Sequence, residues 1–106
     1  MEEIWKDVEG YEGYYQVSNL GRVKSIERVI QKCRYGTRHL SEKIRKASTD
    51  KDGYLFVTFS HNNVRKTVAI HRLVAITFIP KPKGTSQVHH IDGNKTNNCV
   101  DNLEWI

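Results

Sequence analysis

Gln87-Val88-His89-His90-Ile91-Asp92-Gly93-Asn94-Lys95, with Asn97-Asn98 and then Asn102-Leu103-Glu104-Trp105-Ile106 behind it, is the stretch on which the fold of this chain turns. A short strand ends in two adjacent imidazoles, an Asp-Gly turn follows, and a second apolar strand begins after an asparagine-rich loop. Successive side chains of a strand point to opposite faces, so His89 and His90 do not read as a chelating pair. They read as divided work. A neutral imidazole is a common metal ligand, and the same ring titrates near neutrality, so one can hold a cation while the other takes a proton. Asn102 stands just before the second strand, where its amide can reach back and fix the first. Asn94, Asn97 and Asn98 read as turn scaffolding, because short amides hydrogen-bond their own backbone.

Working outward, Tyr54–Ser60 and Val64–Ile70 are rich in β-branched and aromatic residues and flank His61-Asn62-Asn63, which predicts a hairpin. Residues 71–78 follow, and Pro80 and Pro82 end them; the spacings Leu73 to Ile76 and Val74 to Phe78 predict a two-turn helix. Nearer the N-terminus, 14–18 and 22–26 predict two strands joined by an Asn19-Leu20-Gly21 turn. Residues 31–52 are polar and read as a long loop with one weak strand. In residues 1–12, Trp5, Val8 and Tyr11 offer apolar anchors. Tyr14, Tyr15, Trp5 and Trp105 read as core rather than base-stacking residues. The fold class expected is α+β, with small antiparallel sheets and one short helix.

The chain has 106 residues, 38% of them hydrophobic and 27% charged, which suits a globular domain with a modest core. No apolar run approaches the roughly 18 residues that cross a bilayer. The first dozen residues are acidic, which fits neither a secretory signal nor a transit peptide. Cys33 and Cys99 are isolated thiols, favouring a reduced, cytosolic protein. With no second close pair of Cys or His, a zinc-stabilised module is disfavoured. Charge is unevenly placed. Residues 1–12 hold five acids against Lys6, a balance of −4, whereas 22–46 hold nine bases against Glu27 and Glu42, a balance of +7. Such a block suits a polyanion; a solvated basic loop is the other reading.

Taken together, His71-Arg72-Leu73-Val74-Ala75, the run Val88 to Lys95, Asn97-Asn98 and Asn102 to Trp105 closely resemble the HNH nuclease domain of phage and intron homing endonucleases. The run Trp5 to Val23 resembles the module that commonly precedes that domain. The resemblance implies a DNA-contacting module over 1–50 and an HNH domain with a ββα-metal motif over 51–106. It implies that His89 binds a divalent cation, Mg²⁺ or Mn²⁺, that His90 is the general base, and that Asn102 supports the base and the hairpin. The second metal ligand of the family lies on a helix after the second strand. It has no counterpart before Ile106, so the motif is expected to be incomplete, metal binding weak and cleavage impaired. The chemistry implied is phosphodiester hydrolysis, leaving 5′-phosphate and 3′-hydroxyl ends. The partner expected is double-stranded DNA, with Arg22 and Lys24 the first candidates for contact and Arg45, Lys46, Arg65 and Lys66 next. Neither a membrane nor a small-molecule cofactor is expected. The place expected is the cytoplasm of a bacterial host, for a gene of phage or mobile-element origin. Leu103, Trp105 and Ile106 are expected to leave an apolar edge exposed, inviting self-association. The alternative is a DNA-binding remnant without catalysis.

Overall fold

Alternation of small apolar and polar residues builds the first sheet. The computed structural model describes residues 2–26, 28–33, 36–40, 42–61 and 63–106; for 28–33 and 36–40 only the backbone is described. Strands β1 (Trp5–Asp7), β2 (Tyr15–Ser18), β3 (Val23–Ser25) and β6 (Lys43–Arg45) form an antiparallel sheet in the order β1-β2-β3-β6. Val17 pairs with Val23, and both side chains are buried on the inner face. Gln16 pairs with Lys24 one residue along, so these two leave the opposite, outer face. Strands β4 (Arg28–Cys33) and β5 (Gly36–Leu40) pair only with each other.

A second sheet holds β7 (Ser48–Thr49), β8 (Leu55–His61) and β9 (Val64–Ala69). Val57 and Phe59 of β8 point inward and are buried, while Thr58 and Ser60 are exposed. The Tyr15 hydroxyl joins the two sheets, donating to the Ser60 carbonyl and accepting from its N–H, each at 3.2 Å. Helix α1 (Ile70–Phe78) follows β9 directly. Ile70, Leu73, Val74 and Ala75 form its buried stripe, whereas Ile76 is half exposed. The inward face is therefore offset from the one expected through Leu73 and Ile76. The helix ends at Phe78, and Ile79, its C-cap just before Pro80, is extended. Last comes the hairpin of β10 (Val88–His90) and β11 (Leu103–Trp105), separated by a loop and a single 3-10 turn over Val100–Asn102.

One core serves all of these elements. Val8, Tyr15, Val17 and Val23 from the N-terminal sheet pack in one cluster with Val57, Phe59, Ile70, Leu73, Val74 and Leu103. Burying each of the larger side chains stabilises the fold by about 1.5–3 kcal/mol. The cluster therefore crosses position 50, and the two stretches on either side of it support each other.

Three further expectations change. Residues 31–52 were expected as a loop with one weak strand, but β4, β5, β6 and β7 put most of 28–49 into strands. The short edge strands β6 and β7 need little apolar alternation, because an open sheet edge supplies their backbone partners, whereas β4 and β5 supply each other's. Residues 1–12 are more than apolar anchors, since β1 pairs with β2. The C-terminal edge is not a bare apolar face. Leu103 is buried, and the Trp105 indole N–H donates to the Ile79 carbonyl at 3.1 Å. Leu103 and Trp105 share the strand face that α1 covers, so only Ile106 remains half exposed and the premise for self-association through this edge weakens. The turn residue Asn62, the side chain of Cys33 and the basic side chains within 28–38 lie outside the described residues. Among the described residues, no helix is long and apolar enough to cross a membrane.

Candidate active site

The two histidines part company through strand pairing. His89 pairs with Glu104 and His90 with Leu103, so each shares its partner's face. His89 is on the exposed face, with Nδ1 2.9 Å from Glu104 Oε1. Both side chains are about half exposed, so the pair adds little stability, but it orients the ring. If Nδ1–H donates to the carboxylate, Nε2 keeps its lone pair and is the nitrogen suited to a ligand.

His90 is on the inner face and only 5% exposed. Its Nε2 lies 2.8 Å from Asn98 Oδ1. Around it stand two further rings. His71, from the first turn of α1, lies 5.0 Å from His90 between centroids, and Tyr54 stacks on His71 at 5.1 Å. Burial pushes the His71 imidazole down to about 4, and positive charge on His90 or Arg72 pushes the same way against Asp50. His71 is therefore neutral at pH 7. Its Nδ1 is buried without a hydrogen-bond partner.

The two histidines nevertheless open on one cleft, of about 260 Å³, with Tyr54, Gly93 and Lys95 in its walls. Lys95 reaches across the cleft, donating from Nζ to the Asp52 carbonyl at 2.7 Å and sitting 4.7 Å above the Tyr54 ring. A cation in the wall of a cleft that holds an imidazole suits an anionic ligand.

The loop between the strands is held by amide clamps. The Asn102 carbonyl accepts from Ile91 N–H at 2.8 Å, and its Oδ1 accepts from Asp92 N–H at 3.0 Å. Asn102 Nδ2 donates to Asp92 Oδ1 at 2.9 Å and to the Asn97 carbonyl at 3.0 Å. Asp92 also accepts from Asn94 N–H and Asn97 Nδ2. The Asn97 amide, the Asn94 N–H and the Asn102 amide together hold the Asp92 carboxyl below its usual range. Gly93 follows with φ of +76°, a conformation that favours glycine and lets the chain turn out of β10. Asn102 thus ties the end of β10 to its loop, while Asn98 meets the His90 ring.

Where the sequence leads one to expect a cation, His89 brings one imidazole and Glu104 one carboxylate. Among the described residues no group of three or more His, Cys, Asp or Glu side chains is arranged to hold a metal ion. The donors present fit part of a divalent site and do not complete one.

The basic candidates fall into two kinds. Arg22 donates from Nε to Glu3 Oε2 at 2.8 Å and is paired through its second nitrogen with Glu3 Oε1. That guanidinium holds the Glu3 carboxyl down to about 2. Lys24 lies 3.0 Å from Glu42 Oε1, and both cations sit over the Trp5 ring, at 5.5 and 4.4 Å. Arg45 and Lys46 are exposed along the edge of the first sheet, as are Arg65 and Lys66 on β9. Arg65 and Lys66 leave opposite faces of β9, because they pair with Ser60 and Phe59 in turn.

Sequence reading passed over Glu104, Asn98, His71 and Lys95 as parts of this site. Glu104 was within reach: pairing 88–90 against 103–105 sets it opposite His89. Asn98 looked like any other loop asparagine. His71 and Lys95 enter through tertiary packing, which has no local signature.

The first part of the chain, residues 3–60, matches the model of the NUMOD4 motif, and residues 68–106 match that of an HNH endonuclease. DNA endonuclease I-HmuI of Bacillus phage SP01 is 42% identical over 102 residues, covering 96% of this chain and 51% of that protein. The uncharacterized HNH endonuclease L245 of Acanthamoeba polyphaga mimivirus is 52% identical over 65 residues, covering 61% of this chain and 20% of that protein. A solved structure on DNA binding and cleavage by the HNH homing endonuclease I-HmuI superposes with a TM-score of 0.76 at 43% identity, over 100% of this chain and 52% of that one. The chain thus spans about half the length of I-HmuI and less of the mimivirus relative. With its NUMOD4 motif, its HNH match and a fold shared with I-HmuI, the chain belongs to the HNH homing endonuclease family.

Proposed function

We propose that this chain carries the DNA-contacting module, 1–50, and the base-bearing half-site, within 51–106, of an HNH homing endonuclease that hydrolyses phosphodiester bonds in double-stranded DNA. The observation that carries the reading is the division of the histidine pair. His90 is buried and held by Asn98, His89 is exposed beside Glu104, and both line one cleft.

In this reading His90 accepts the proton of a water placed in line with the scissile phosphorus. Asn102 holds the loop so that β10 keeps its register at His90. Lys95 draws the phosphate into the cleft. Mg²⁺ or Mn²⁺ binds weakly beside His89, where HNH nucleases generally use a divalent metal, and when bound it would offset charge on the phosphate and the departing 3′ oxygen. With His89 and Glu104 the donors assembled at that position among the described residues, slow turnover is expected. Arg45, Lys46, Arg65 and Lys66 meet DNA phosphates, and Arg22 and Lys24 join them by exchanging their carboxylate partners for phosphate. The relative from Bacillus phage SP01 suits action inside a bacterial host cell.

Plasmid nicking in millimolar Mg²⁺ or Mn²⁺, beside His90→Ala, tests the assignment. Slow nicking that disappears in His90→Ala is expected. Equal nicking by both proteins overturns the role of His90. DNA binding without any nicking favours the second reading, a binding remnant.

A further inference from the structure

We propose that Asn98 is a positioning residue for His90, and that the Asn19-Leu20-Gly21 turn of the N-terminal module holds Asn98 in place. The inference rests on His90 being the base, and it extends that reading to how the base is prepared. Asn98 is itself buried, and its Oδ1 lies 2.8 Å from His90 Nε2. An amide oxygen only accepts, so Nε2 must carry the proton, and in a neutral imidazole the lone pair then resides on Nδ1. His89 beside it is held through the other nitrogen, Nδ1, against Glu104. Adjacent histidines thus take opposite tautomers, each with a different nitrogen left for chemistry.

What keeps Asn98 there comes from the other part of the chain. A Cβ added at Gly21 would lie 2.8 Å from Asn98 Cβ and 2.9 Å from the Asn98 carbonyl oxygen, closer than packed atoms tolerate. Gly21 is therefore pressed against Asn98 with no room for a side chain. The turn is pinned at its neighbours: Val100 N–H donates to the Asn19 carbonyl at 2.8 Å, and Asn19 Oδ1 accepts from Ile4 N–H at 2.8 Å. Among the described residues Asn98 Nδ2, though buried, has no partner. A stranded donor is a cost to folding, which a side chain kept only for turn geometry has no reason to carry. The chain of contact runs from Gly21 to Asn98 to the His90 ring, so the module that meets DNA also sets the base.

The test is the tautomer of His90, read from ¹⁵N shifts and long-range couplings of the imidazole at neutral pH in the full chain, a readout that needs no cleavage. The wild type is expected to show His90 with the proton on Nε2. Asn98→Ala should convert it to a mixture of tautomers, and Asn98→Asp, which keeps an acceptor, should restore the Nε2–H form. Gly21→Ala should perturb the His90 signals. Gly10→Ala should not, since Gly10 has nearly the same φ, +85° against +87°, but nothing within 4 Å of its added Cβ. That pair separates contact with Asn98 from strain at a left-handed residue. In nicking assays Asn98→Ala should lower kcat about tenfold or more with KM unchanged. A wild-type His90 protonated on Nδ1 overturns the proposal, as does a tautomer indifferent to Asn98→Ala, or equal His90 perturbation by both glycine variants. If the tautomer behaves as expected and no protein nicks DNA, the positioning stands and the nuclease reading fails.

Discussion

The outer face of the N-terminal sheet and the cleft beside β10 both gather charged and titratable side chains, and they treat them in opposite ways. On the sheet, Arg22 is clasped by Glu3, Lys24 by Glu42, and both cations rest on Trp5. These groups satisfy one another. In the cleft, among the described residues, each of the two histidines is held by one ring nitrogen, His89 by Glu104 and His90 by Asn98. Satisfied charges stabilise a surface, whereas a half-held imidazole is oriented and still able to react. The proposed assignment of chemistry to the cleft rests on that difference, although the sheet carries more charge.

The comparison would break most visibly if the two regions did not share a core. Phe59 joins them, being 1% exposed, within 4.5 Å of Tyr15 and in one cluster with Leu103. Phe59→Ala should destabilise the chain by about 3–5 kcal/mol. Because Trp5 reports on the sheet and Trp105 on the β10–β11 hairpin, Trp5→Phe and Trp105→Phe variants should show coincident urea transitions, each shifted alike by Phe59→Ala. Separate midpoints would mean two independent units.

Next in size is the loop that closes the cleft. Asn102→Ala removes three side-chain hydrogen bonds, to Asp92 N–H, Asp92 Oδ1 and the Asn97 carbonyl, and should cost about 1–3 kcal/mol. Amide exchange should rise further across residues 91–98 than in β1 to β3. Uniform acceleration in both regions would remove the local role.

Acid should divide the regions too. His71 has a folded value near 4, below the ordinary 6.5, so on acidification the unfolded chain takes up its proton first. The stability His71 contributes is complete above 6.5 and is lost as pH falls towards 4. Allowing for partial exposure, the loss is on the order of 1 kcal/mol. Glu3 is held down to about 2, so the contribution of its pair on the sheet persists until pH falls below the ordinary 4.5. Denaturation at pH 7.5 and pH 5 should therefore show a loss that His71→Gln abolishes and Glu3→Gln leaves in place.

The smallest effect concerns DNA. Each phosphate contact adds about 0.9 to the slope of log affinity against log salt. Arg65→Ala should flatten that slope by about one contact. Arg22→Ala should change it less, because Arg22 must leave Glu3 before it can meet phosphate. The reverse order would show that the sheet face opens on DNA.

Much of this was legible in the sequence where local pattern and distant consequence agree. The alternation in Tyr54–Ser60, the prolines after Phe78 and the strand end at His90 each specify their own backbone, and the structure follows them closely. The opposite faces of His89 and His90 follow from strand geometry alone. The short strands within 28–49 were not legible, since β6 and β7 take their pairing from the sheets they edge and β4 and β5 pair only with each other across polar sequence. Nor was the choice of Asn98 over Asn102 as the residue that meets His90. Both are amides in the same loop, and only the docking of Gly21 against Asn98 tells them apart.

The most direct test of the account is the pair of ends left on nicked plasmid. Wild-type protein in Mn²⁺ should leave nicks that DNA ligase reseals, as 5′-phosphate and 3′-hydroxyl ends require, and His90→Ala should nick about 100-fold more slowly or worse. Nicks that ligase cannot seal, or an equal rate in His90→Ala, would contradict it.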